Sequence, residues 1–334
     1  MRYFSGITCL FLIVGISAGG FADPPPGEDE ANKSFSLSKL SRVTLGSKQF
    51  WTDETHYAGW RIQRNVLTSS YRLLDDNNSR LTHGTFETCR DALQTIKANL
   101  VEPERNRTVV LLLHGLVRSR NSMKPLATFL KATGQFEVIN ISYASSQETI
   151  DQHAQSLGTL INRLEGVSQI HFVAHSMGNL VIRRYLRDCQ DGKWKDRKHP
   201  KVARMVMLGP PNQGSQIAKR FKDYSIFKYV WGISAQQLAE DWDELNKRLA
   251  IPPCEFGIIA GGRGQASGRN PLLQGDNDFI VSVEETKLPG AHDFLILPVL
   301  HSFMMEDAKI MAHTLQFLRN GYFVSEPRRQ PIKR

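Results

Sequence analysis

The sequence contains one serine in a setting that can make it a nucleophile. Ala174-His175-Ser176-Met177-Gly178 follows an apolar run and precedes a helical pattern. A serine on a tight turn between a strand and a helix needs small residues two positions away on each side, because the backbone there is crowded. Ala174 and Gly178 meet that need, and the amino terminus of the following helix favours developing negative charge. The pattern predicts that Ser176 is a reactive serine.

A serine hydroxyl is a poor nucleophile unless a base takes its proton, and the base needs an acid to orient it. Two carboxylates, Asp276 and Asp278, stand in an acidic turn, and His301 follows the apolar run 294–297. The order serine, carboxylate, histidine along the chain is the order expected when all three meet at one edge of an α/β sheet. We therefore expect nucleophilic catalysis by Ser176, with His301 as the base and one of the two aspartates as the acid.

Such a reaction also needs donors for the negatively charged oxygen of the tetrahedral intermediate, and backbone N–H groups serve best because they are fixed in advance. Met177, the residue after the serine, should supply one donor. Leu116 should supply the second, because His114-Gly115-Leu116 follows a buried strand and Gly115 permits the backbone to turn. Met177 and Leu116 are thus predicted to form an oxyanion hole, whereas His114 is expected only to shape its loop.

The elements that must position these residues alternate between strands and helices. Apolar runs typical of buried strands occur at 109–113, 136–143, 169–174, 205–208, 256–260 and 294–297. Helical patterns occur at 86–100, 123–132, 149–164, 178–189 and 306–318. This alternation predicts an α/β fold with a mostly parallel sheet that is covered by helices on both faces.

The segments LLLHGL, AHSMGNLVIRRYL, LGPPNQGS, GDNDFIV and PVLHSFM together resemble the successive signatures of α/β-hydrolase lipases and esterases. The resemblance covers roughly 108–318. It implies an α/β-hydrolase fold, no metal or other cofactor, and a set of roles: Ser176 as nucleophile, Asp278 as acid, His301 as base, and Leu116 with Met177 as oxyanion hole. Most members carry glycine where this sequence has Ala174, and some bacterial lipases are similar in carrying alanine.

The chain divides into five predicted parts. Residues 1–22 are expected to be a signal peptide, because Arg2 precedes a short apolar run that ends in small residues up to Ala22. Residues 23–34 should form a flexible leader, 35–107 an N-terminal extension packed on the core, 108–320 the hydrolase domain, and 321–334 a basic tail. The signal predicts an exported protein (periplasmic, envelope-associated or secreted), with an uncleaved anchor as the alternative.

An insertion at about 216–252 is predicted to form a helical cap over Ser176, because it begins at the carboxyl end of a strand. It is rich in aromatic residues, and Phe227 and Trp231 are expected to contact an acyl chain. The alternative is that these aromatic side chains only pack the helices of the cap onto the sheet.

The composition excludes a disordered, a collagen-like and a coiled-coil protein. Apolar residues make up 41% of the 334 residues, as in ordinary globular proteins. The 42 lysines and arginines exceed the 33 acidic residues, but no nucleic-acid-binding signature accompanies them, and Arg183, Arg184 and Arg187 are interpreted as part of a solvated basic surface. Cleavage after residue 22 would leave Cys89, Cys189 and Cys254, which allow at most one disulfide.

Three functions follow as hypotheses. The first is an exported serine hydrolase that cleaves carboxylic esters of small-molecule or lipid-like substrates through an acyl-enzyme. The second uses the same three side chains for acyl transfer or amide hydrolysis. The third is a non-catalytic hydrolase-fold protein that binds a ligand at the cell envelope, since the fold alone does not establish catalysis. The basic balance is also compatible with peripheral contact to a membrane, whereas no nucleic-acid partner is expected.

Overall fold

An antiparallel sheet begins the described part of the chain. The structure is a computed structural model that describes residues 48–133, 136–194, 199–221, 233–234, 237 and 242–334. The four strands are adjacent in chain order: β1 (Trp51–Tyr57), β2 (Trp60–Asn65), β3 (Tyr71–Leu74) and β4 (Arg80–Gly84). Helix α1 (Phe86–Lys97) packs on this sheet around the buried side chains of Ile62, Leu73, Cys89 and Leu93. The predicted signal peptide and leader lie outside the described residues.

The antiparallel sheet is joined to the rest of the molecule through Asp53 of β1. Its N–H donates to the carbonyl oxygen of Ser142 at 2.9 Å, and its Oδ2 accepts from the N–H of Ser142 at 2.7 Å. The Gln63 amide donates to the other carboxylate oxygen at 2.7 Å, so the buried charge is well solvated by hydrogen bonds. The described part of the extension is thus packed on the domain that follows it.

A parallel sheet of six strands forms the centre of the molecule. Its order is β10-β9-β8-β7-β5-β6, and every adjacent pair is parallel. The strands are β5 (Arg107–Leu113), β6 (Glu137–Ile141), β7 (Val167–His175), β8 (Lys201–Leu208), β9 (Glu255–Gly261) and β10 (Asp293–Leu297). The unbroken apolar run of β5 is at most 1% exposed, because helices cover both faces of the sheet.

Helices on both faces complete the predicted α/β fold, which is confirmed. Two of them, α2 (Lys124–Ala132) and α8 (Ala308–Asn320), share a core with Val110 and Leu112 of β5. On the opposite face, α3 (Ile150–Asn162) and α4 (Gly178–Gln190) pack on the alternate residues of the same strand. Three shorter helices are described: α5 (Gln216–Phe221), α6 (Trp242–Lys247) and α7 (Val283–Thr286).

The carboxyl-terminal residues pack along the edge of the domain. The N–H of Ile332 donates to the carbonyl oxygen of Ala291 at 3.0 Å, and the N–H of Gly290 donates to the carbonyl oxygen of Ile332 at 2.8 Å. The Asp293 carboxylate accepts from the N–H groups of Phe323 and Gln330, both within 2.9 Å. The segment predicted as a basic tail is therefore tied to the start of β10.

The interpretation of Arg183 as a solvated surface residue is wrong. Arg184 and Arg187 of the same helix do pair with acidic residues at the surface, but Arg183 is only 2% exposed. Helix α4 is buried on more than one face, because Leu180, Arg183 and Tyr185 are all buried although positions 183 and 185 project about 200° apart around the helix axis.

Cys89, Cys189 and Cys254 are free thiols in the structure. Within the described ranges, no helix is long and apolar enough to cross a membrane.

Candidate active site

Ser176 lies on the tight turn between β7 and α4 that its flanking residues predict. Its φ is +53°, in the left-handed region that few non-glycine residues occupy. The N–H of Ser176 donates to the carbonyl oxygen of Leu208 at 2.8 Å, and its own carbonyl accepts from both the N–H and the side-chain amide of Asn179. These bonds hold the serine at the carboxyl edge of the sheet.

Two glycines allow the backbone to pack closely around Ser176. A Cβ atom on Gly178 would lie 2.7 Å from the carbonyl oxygen of His114. This contact is too short, and a backbone atom cannot move aside as the end of a flexible side chain could. A Cβ atom on Gly115 would lie 3.0 Å from Cβ of Ser176. The loop that carries Leu116 is thus packed directly against the serine.

The two predicted oxyanion donors flank the serine. Met177 follows it in the chain, and Leu116 follows the glycine that touches it. Neither N–H donates to a protein acceptor among the described residues. Both groups are consequently available to a ligand oxygen placed over Ser176.

Asp278 and His301 are in direct contact. Nδ1 of His301 lies 2.7 Å from Oδ2 of Asp278, and the N–H of His301 donates to the Asp278 carbonyl oxygen at 3.0 Å. Oδ1 of Asp278 accepts from the N–H groups of Ile280 and Val281 at 3.0 and 2.7 Å. Asp278 is fully buried and His301 is 6% exposed, so the pair is shielded from water.

The end of β8 brings His301 to the same place as Ser176. Leu208 accepts the N–H of Ser176, and the next residue, Gly209, has a φ of +53°. A Cβ atom on Gly209 would lie 3.0 Å from Nδ1 of His301, so the imidazole rests on this glycine. Ser176 and His301 thus contact adjacent residues at the end of β8, Leu208 and Gly209.

Asp276, the alternative acid, has different partners. Its carboxylate accepts from the N–H groups of Arg263 and Gly264 at 2.8 and 2.7 Å. A Cβ atom on Gly262 would lie 2.5 Å from Oδ2 of Asp276, so this loop passes close to the carboxylate. Asp276 therefore organises the loop after β9, and the structure places only Asp278 against the histidine.

The histidines beside the serine and beside the oxyanion loop are buried and neutral. Burial lowers the pKa of His175 well below 6.5, and its Nε2 lies 3.0 Å from the carbonyl oxygen of His301, which requires Nε2–H as donor. Burial likewise lowers the pKa of His114 to about 4. The His114 ring stacks on Tyr143 at 4.3 Å, and the Tyr143 hydroxyl donates to the His114 carbonyl oxygen. Both residues shape the loops of the site.

The base of the predicted cap contains a feature that sequence patterns did not indicate. The buried Arg183 of α4 donates through Nε to the carbonyl oxygen of Ala250 at 2.9 Å and through Nη1 to Oδ1 of Asn212 at 3.0 Å. The N–H of Ala250 donates back to the Arg183 carbonyl oxygen at 3.1 Å. Asn212 and Ala250 stand at the start and the end of the insertion, so one cation joins both stems to the helix that follows Ser176. The motif LGPPNQGS contains Asn212, but the motif does not disclose its partner.

Phe227 and Trp231, the predicted acyl-contacting residues of the cap, lie outside the described residues. The insertion is described at α5, at 233–234, at 237 and at 242–252. Ser234 is fully buried, and its hydroxyl donates to the Glu148 carbonyl oxygen at 2.6 Å. The N–H of Ile233 donates to the Ser146 carbonyl oxygen at 3.1 Å. The middle of the insertion is therefore anchored beside the loop that follows β6.

Comparison with known proteins finds a family model that matches part of the chain. The family model described as palmitoyl protein thioesterase matches residues 108–248, which is less than half of the chain. That stretch contains β5, the loop with Leu116, and the turn with Ser176. No curated protein sequence matches the chain. Within the described ranges, no three His, Cys, Asp or Glu side chains lie close enough together to hold a metal ion.

Solved structures are similar at low identity. A gene product from Listeria innocua is 19% identical, with 68% of this chain and 98% of that chain covered and a TM-score of 0.47. The Bacillus licheniformis lipase BlEst2 in its propeptide form is 13% identical over 68% of this chain and 52% of that chain, with a TM-score of 0.48. A thermophilic esterase from Thermogutta terrifontis is 17% identical over 66% of this chain and 93% of that chain, with a TM-score of 0.42.

The sheet order, the turn at Ser176 and the family-model match together confirm the resemblance to α/β-hydrolases of the lipase and esterase type. The matched part of the chain is thus similar to a family of thioesterases, which are enzymes.

Proposed function

We propose that this protein cleaves acyl esters, thioesters included, through a covalent acyl-enzyme on Ser176. The observation that carries the proposal is the 2.7 Å contact between His301 Nδ1 and Asp278 Oδ2, at the sheet edge where Ser176 occupies its strained turn. A buried carboxylate on Nδ1 fixes the tautomer and leaves Nε2 to accept the serine proton.

In the first half of the reaction, Ser176 Oγ forms a bond to the acyl carbon while its proton passes to Nε2 of His301. The carbonyl oxygen becomes negatively charged, and the N–H groups of Leu116 and Met177 donate to it. The bond to the leaving alcohol or thiol then breaks, and that group departs with the proton from His301. Asp278 stabilises the imidazolium that exists between these two proton transfers.

In the second half, water loses a proton to His301 and attacks the acyl carbon of the acyl-enzyme. The same two N–H groups stabilise the second oxyanion. The bond to Ser176 Oγ breaks, the serine recovers its proton from His301, and the carboxylic acid is released. Atoms and charge balance without a metal or a redox partner.

Two features support an acyl chain as part of the substrate. The family model that matches residues 108–248 is described as palmitoyl protein thioesterase, so thioesters of long acyl chains join oxygen esters as candidate substrates. The insertion anchored by Arg183 and Ser234 contains many aromatic residues, which supply apolar area for burying methylene groups. We propose Phe227 and Trp231 as residues of this acyl contact.

Export is a second component of the proposal, and it is supported by the amino-terminal pattern of Arg2, a short apolar run and small residues up to Ala22. Expression of the full chain followed by cell fractionation and amino-terminal sequencing tests it. We expect the mature protein outside the cytoplasm, with Asp23 as its first residue. A protein retained in the cytoplasm with Met1 or Arg2 at its amino terminus would contradict export without affecting the hydrolase proposal.

The decisive experiment combines a covalent probe with paired substrates. A fluorophosphonate should label wild-type protein at Ser176, and mass spectrometry should find the adduct on that residue. Matched oxygen esters and thioesters of the same acyl chain should both be hydrolysed. Amide cleavage or acyl transfer to an added alcohol in place of hydrolysis would favour an amidase or an acyltransferase. Folded protein that neither labels nor turns over would favour a binding protein.

A further inference from the structure

Some non-glycine residues of the described chain have a positive φ, a backbone conformation that favours glycine. Seven non-glycine residues have a φ between +45° and +90°. Four of them are exposed: Ala58, Ser69, Asn78 and Asn106. The other three are half-buried, namely Ser176 with its required turn, Val117 at +54°, and Phe279 at +90°.

Val117 and Phe279 are the two residues whose side chains fit this conformation worst. A β-branched or bulky residue at positive φ is a genuine outlier, and glycine is the default there. Val117 directly follows the oxyanion donor Leu116, and Phe279 directly follows the acid Asp278. The two bulky side chains at positive φ therefore lie in the two loops that carry the predicted oxyanion donor and acid.

The surrounding hydrogen bonds hold Phe279 in this conformation. Its carbonyl oxygen accepts from the side-chain amide of Asn270 at 2.8 Å, and its N–H donates to Oδ1 of Asn277 at 3.2 Å. Oδ1 of Asn277 also accepts from the N–H of Asn270 at 2.9 Å. The carbonyl oxygen of Val117 accepts more weakly from Gln49 at 3.4 Å. The loop shape is thus supported by other residues, and glycine would satisfy the same backbone bonds.

Core packing does not account for these two side chains. The three hydrophobic clusters of the described residues, together with the partly buried side chains packed on them, include Leu116 and Val283 but neither Val117 nor Phe279. Both side chains are apolar and half-buried at the carboxyl edge of the sheet. An apolar side chain that costs strain and does not fill the core is best explained by contact with a ligand.

We propose that Val117 and Phe279 are specificity-determining residues that contact the acyl chain of the substrate, one on the oxyanion side of Ser176 and one on the acid side. The inference rests on the proposed function and names the part of the substrate that these loops bind. Their apolar character selects the acyl chain, because a polar leaving group would gain nothing from two hydrocarbon walls.

The test replaces each residue by glycine, which suits the backbone but removes the side chain. Val117→Gly and Phe279→Gly are compared with wild type, with the matched control Asn106→Gly at an exposed positive-φ position, and with Phe279→Leu. Glycine should keep or raise the melting temperature of all three variants, by about 1–3 °C where strain is relieved. If one glycine variant unfolds, the other carries the test, and unfolding of both would contradict the argument that glycine suits these backbone conformations.

The activity readout is kcat/KM over a series of esters from acetyl to octanoyl, each normalised to the acetyl ester of the same variant. In wild type and Asn106→Gly, each CH₂ that becomes buried should raise kcat/KM by about fourfold. In Val117→Gly and Phe279→Gly, the octanoyl-to-acetyl ratio should fall by at least about tenfold. Phe279→Leu should retain most of the ratio. A parallel series that lengthens only the alcohol should be unaffected in every variant.

An unchanged octanoyl-to-acetyl ratio in both glycine variants would overturn the inference, as would a loss seen only in the alcohol series. Fluorophosphonate labelling separates this failure from failure of the proposed function. Wild-type protein that labels at Ser176 and hydrolyses esters, with variants that keep the wild-type ratio, refutes the inference alone. Wild-type protein that neither labels nor hydrolyses any ester refutes the function and the inference with it.

Discussion

His301 is held by Asp278 at two points. The carboxylate oxygen Oδ2 lies 2.7 Å from the ring nitrogen Nδ1, and the carbonyl oxygen of Asp278 accepts the main-chain N–H of His301 at 3.0 Å. One residue therefore determines both the position of the backbone and the orientation of the imidazole. Because Oδ1 is occupied by the N–H groups of Ile280 and Val281, the carboxylate has no freedom to turn away.

Replacing this carboxylate should damage turnover far more than replacing its neighbour. Asp278→Asn keeps the shape but disfavours the required tautomer, and we expect kcat to fall by about 10³- to 10⁴-fold. Asp276→Asn should cost about tenfold or less, because Asp276 contacts the loop of Arg263 and Gly264. Steady-state hydrolysis of one short ester by both purified variants measures the difference. The opposite ranking would reassign the acid.

Ser176→Ala should abolish hydrolysis while leaving the fold intact. Catalytic groups that act as a unit typically lose about 10⁴- to 10⁶-fold in turnover when one is removed. Circular dichroism and urea unfolding should match wild type, and the fluorophosphonate adduct should disappear. Hydrolysis at the wild-type rate by the folded variant would refute the acyl-enzyme mechanism.

Gly178→Ala should disturb the turn at Ser176. The added Cβ would lie 2.7 Å from the carbonyl oxygen of His114 and 3.0 Å from that of Leu113, and backbone atoms of a buried strand end cannot easily move. We expect a loss of about 1–3 kcal/mol in the free energy of unfolding, as for other overpacked sites. Urea denaturation measures it, and kcat should fall in parallel. Wild-type stability and activity would show that the turn tolerates a side chain.

Arg183→Met should destabilise the base of the insertion. Methionine fills similar volume but leaves Oδ1 of Asn212 and the carbonyl oxygen of Ala250 without their donors in a buried place, and we expect a loss of about 2–4 kcal/mol. Arg187→Met is the matched control on the same helix, because its pair with Asp191 is exposed and worth at most about 1 kcal/mol. Equal urea midpoints for the two variants would contradict the role of Arg183.

Stability should fall on mild acidification because of buried neutral histidines. Burial lowers the pKa of His171 to about 4, whereas the unfolded side chain titrates near 6.5. The unfolded chain therefore takes up the proton first, so the stabilising contribution is present above pH 6.5 and is lost as pH falls toward 4. From pH 7 to pH 5 this one histidine should cost about 2 kcal/mol.

His171→Asn isolates that contribution. A lower free energy of unfolding for the variant at both pH values does not affect the test, because the test compares the change in that free energy between pH 7 and pH 5. Urea unfolding at pH 7 and pH 5 should show a loss on acidification that is smaller than in wild type by about 2 kcal/mol. An identical loss in both proteins would show that His171 is protonated in the folded state.

Local patterns were sufficient for the elements of the central domain. The apolar run 109–113 is buried on both faces, and a helix with one apolar stripe packs on one face, so these periodicities report burial directly. The predicted strands and helices of 109–318 agree with the structure to within a few residues at their ends. The antiparallel sheet is harder to predict from local patterns, because β1 carries polar residues whose burial depends on partners far along the chain, as that of Asp53 does on Ser142.

The sequence by itself was enough to predict the class of chemistry. Ser176 with small residues at 174 and 178, a later carboxylate and a later histidine form a pattern that depends only on residue type, spacing and order. The turn at Ser176 can be predicted from the local sequence, because a tight turn at a serine leaves room only for small residues two positions away on each side.

Only the tertiary structure decided which carboxylate meets His301, that Arg183 is buried between Asn212 and Ala250, and that Val117 and Phe279 occupy strained conformations. Each of these depends on where two distant segments of chain lie in space. Asp276 and Asp278 are chemically identical and two residues apart, and Arg183 and Arg187 are one helical turn apart. The two members of each pair differ in the elements that pack against them, and no local sequence pattern encodes that packing.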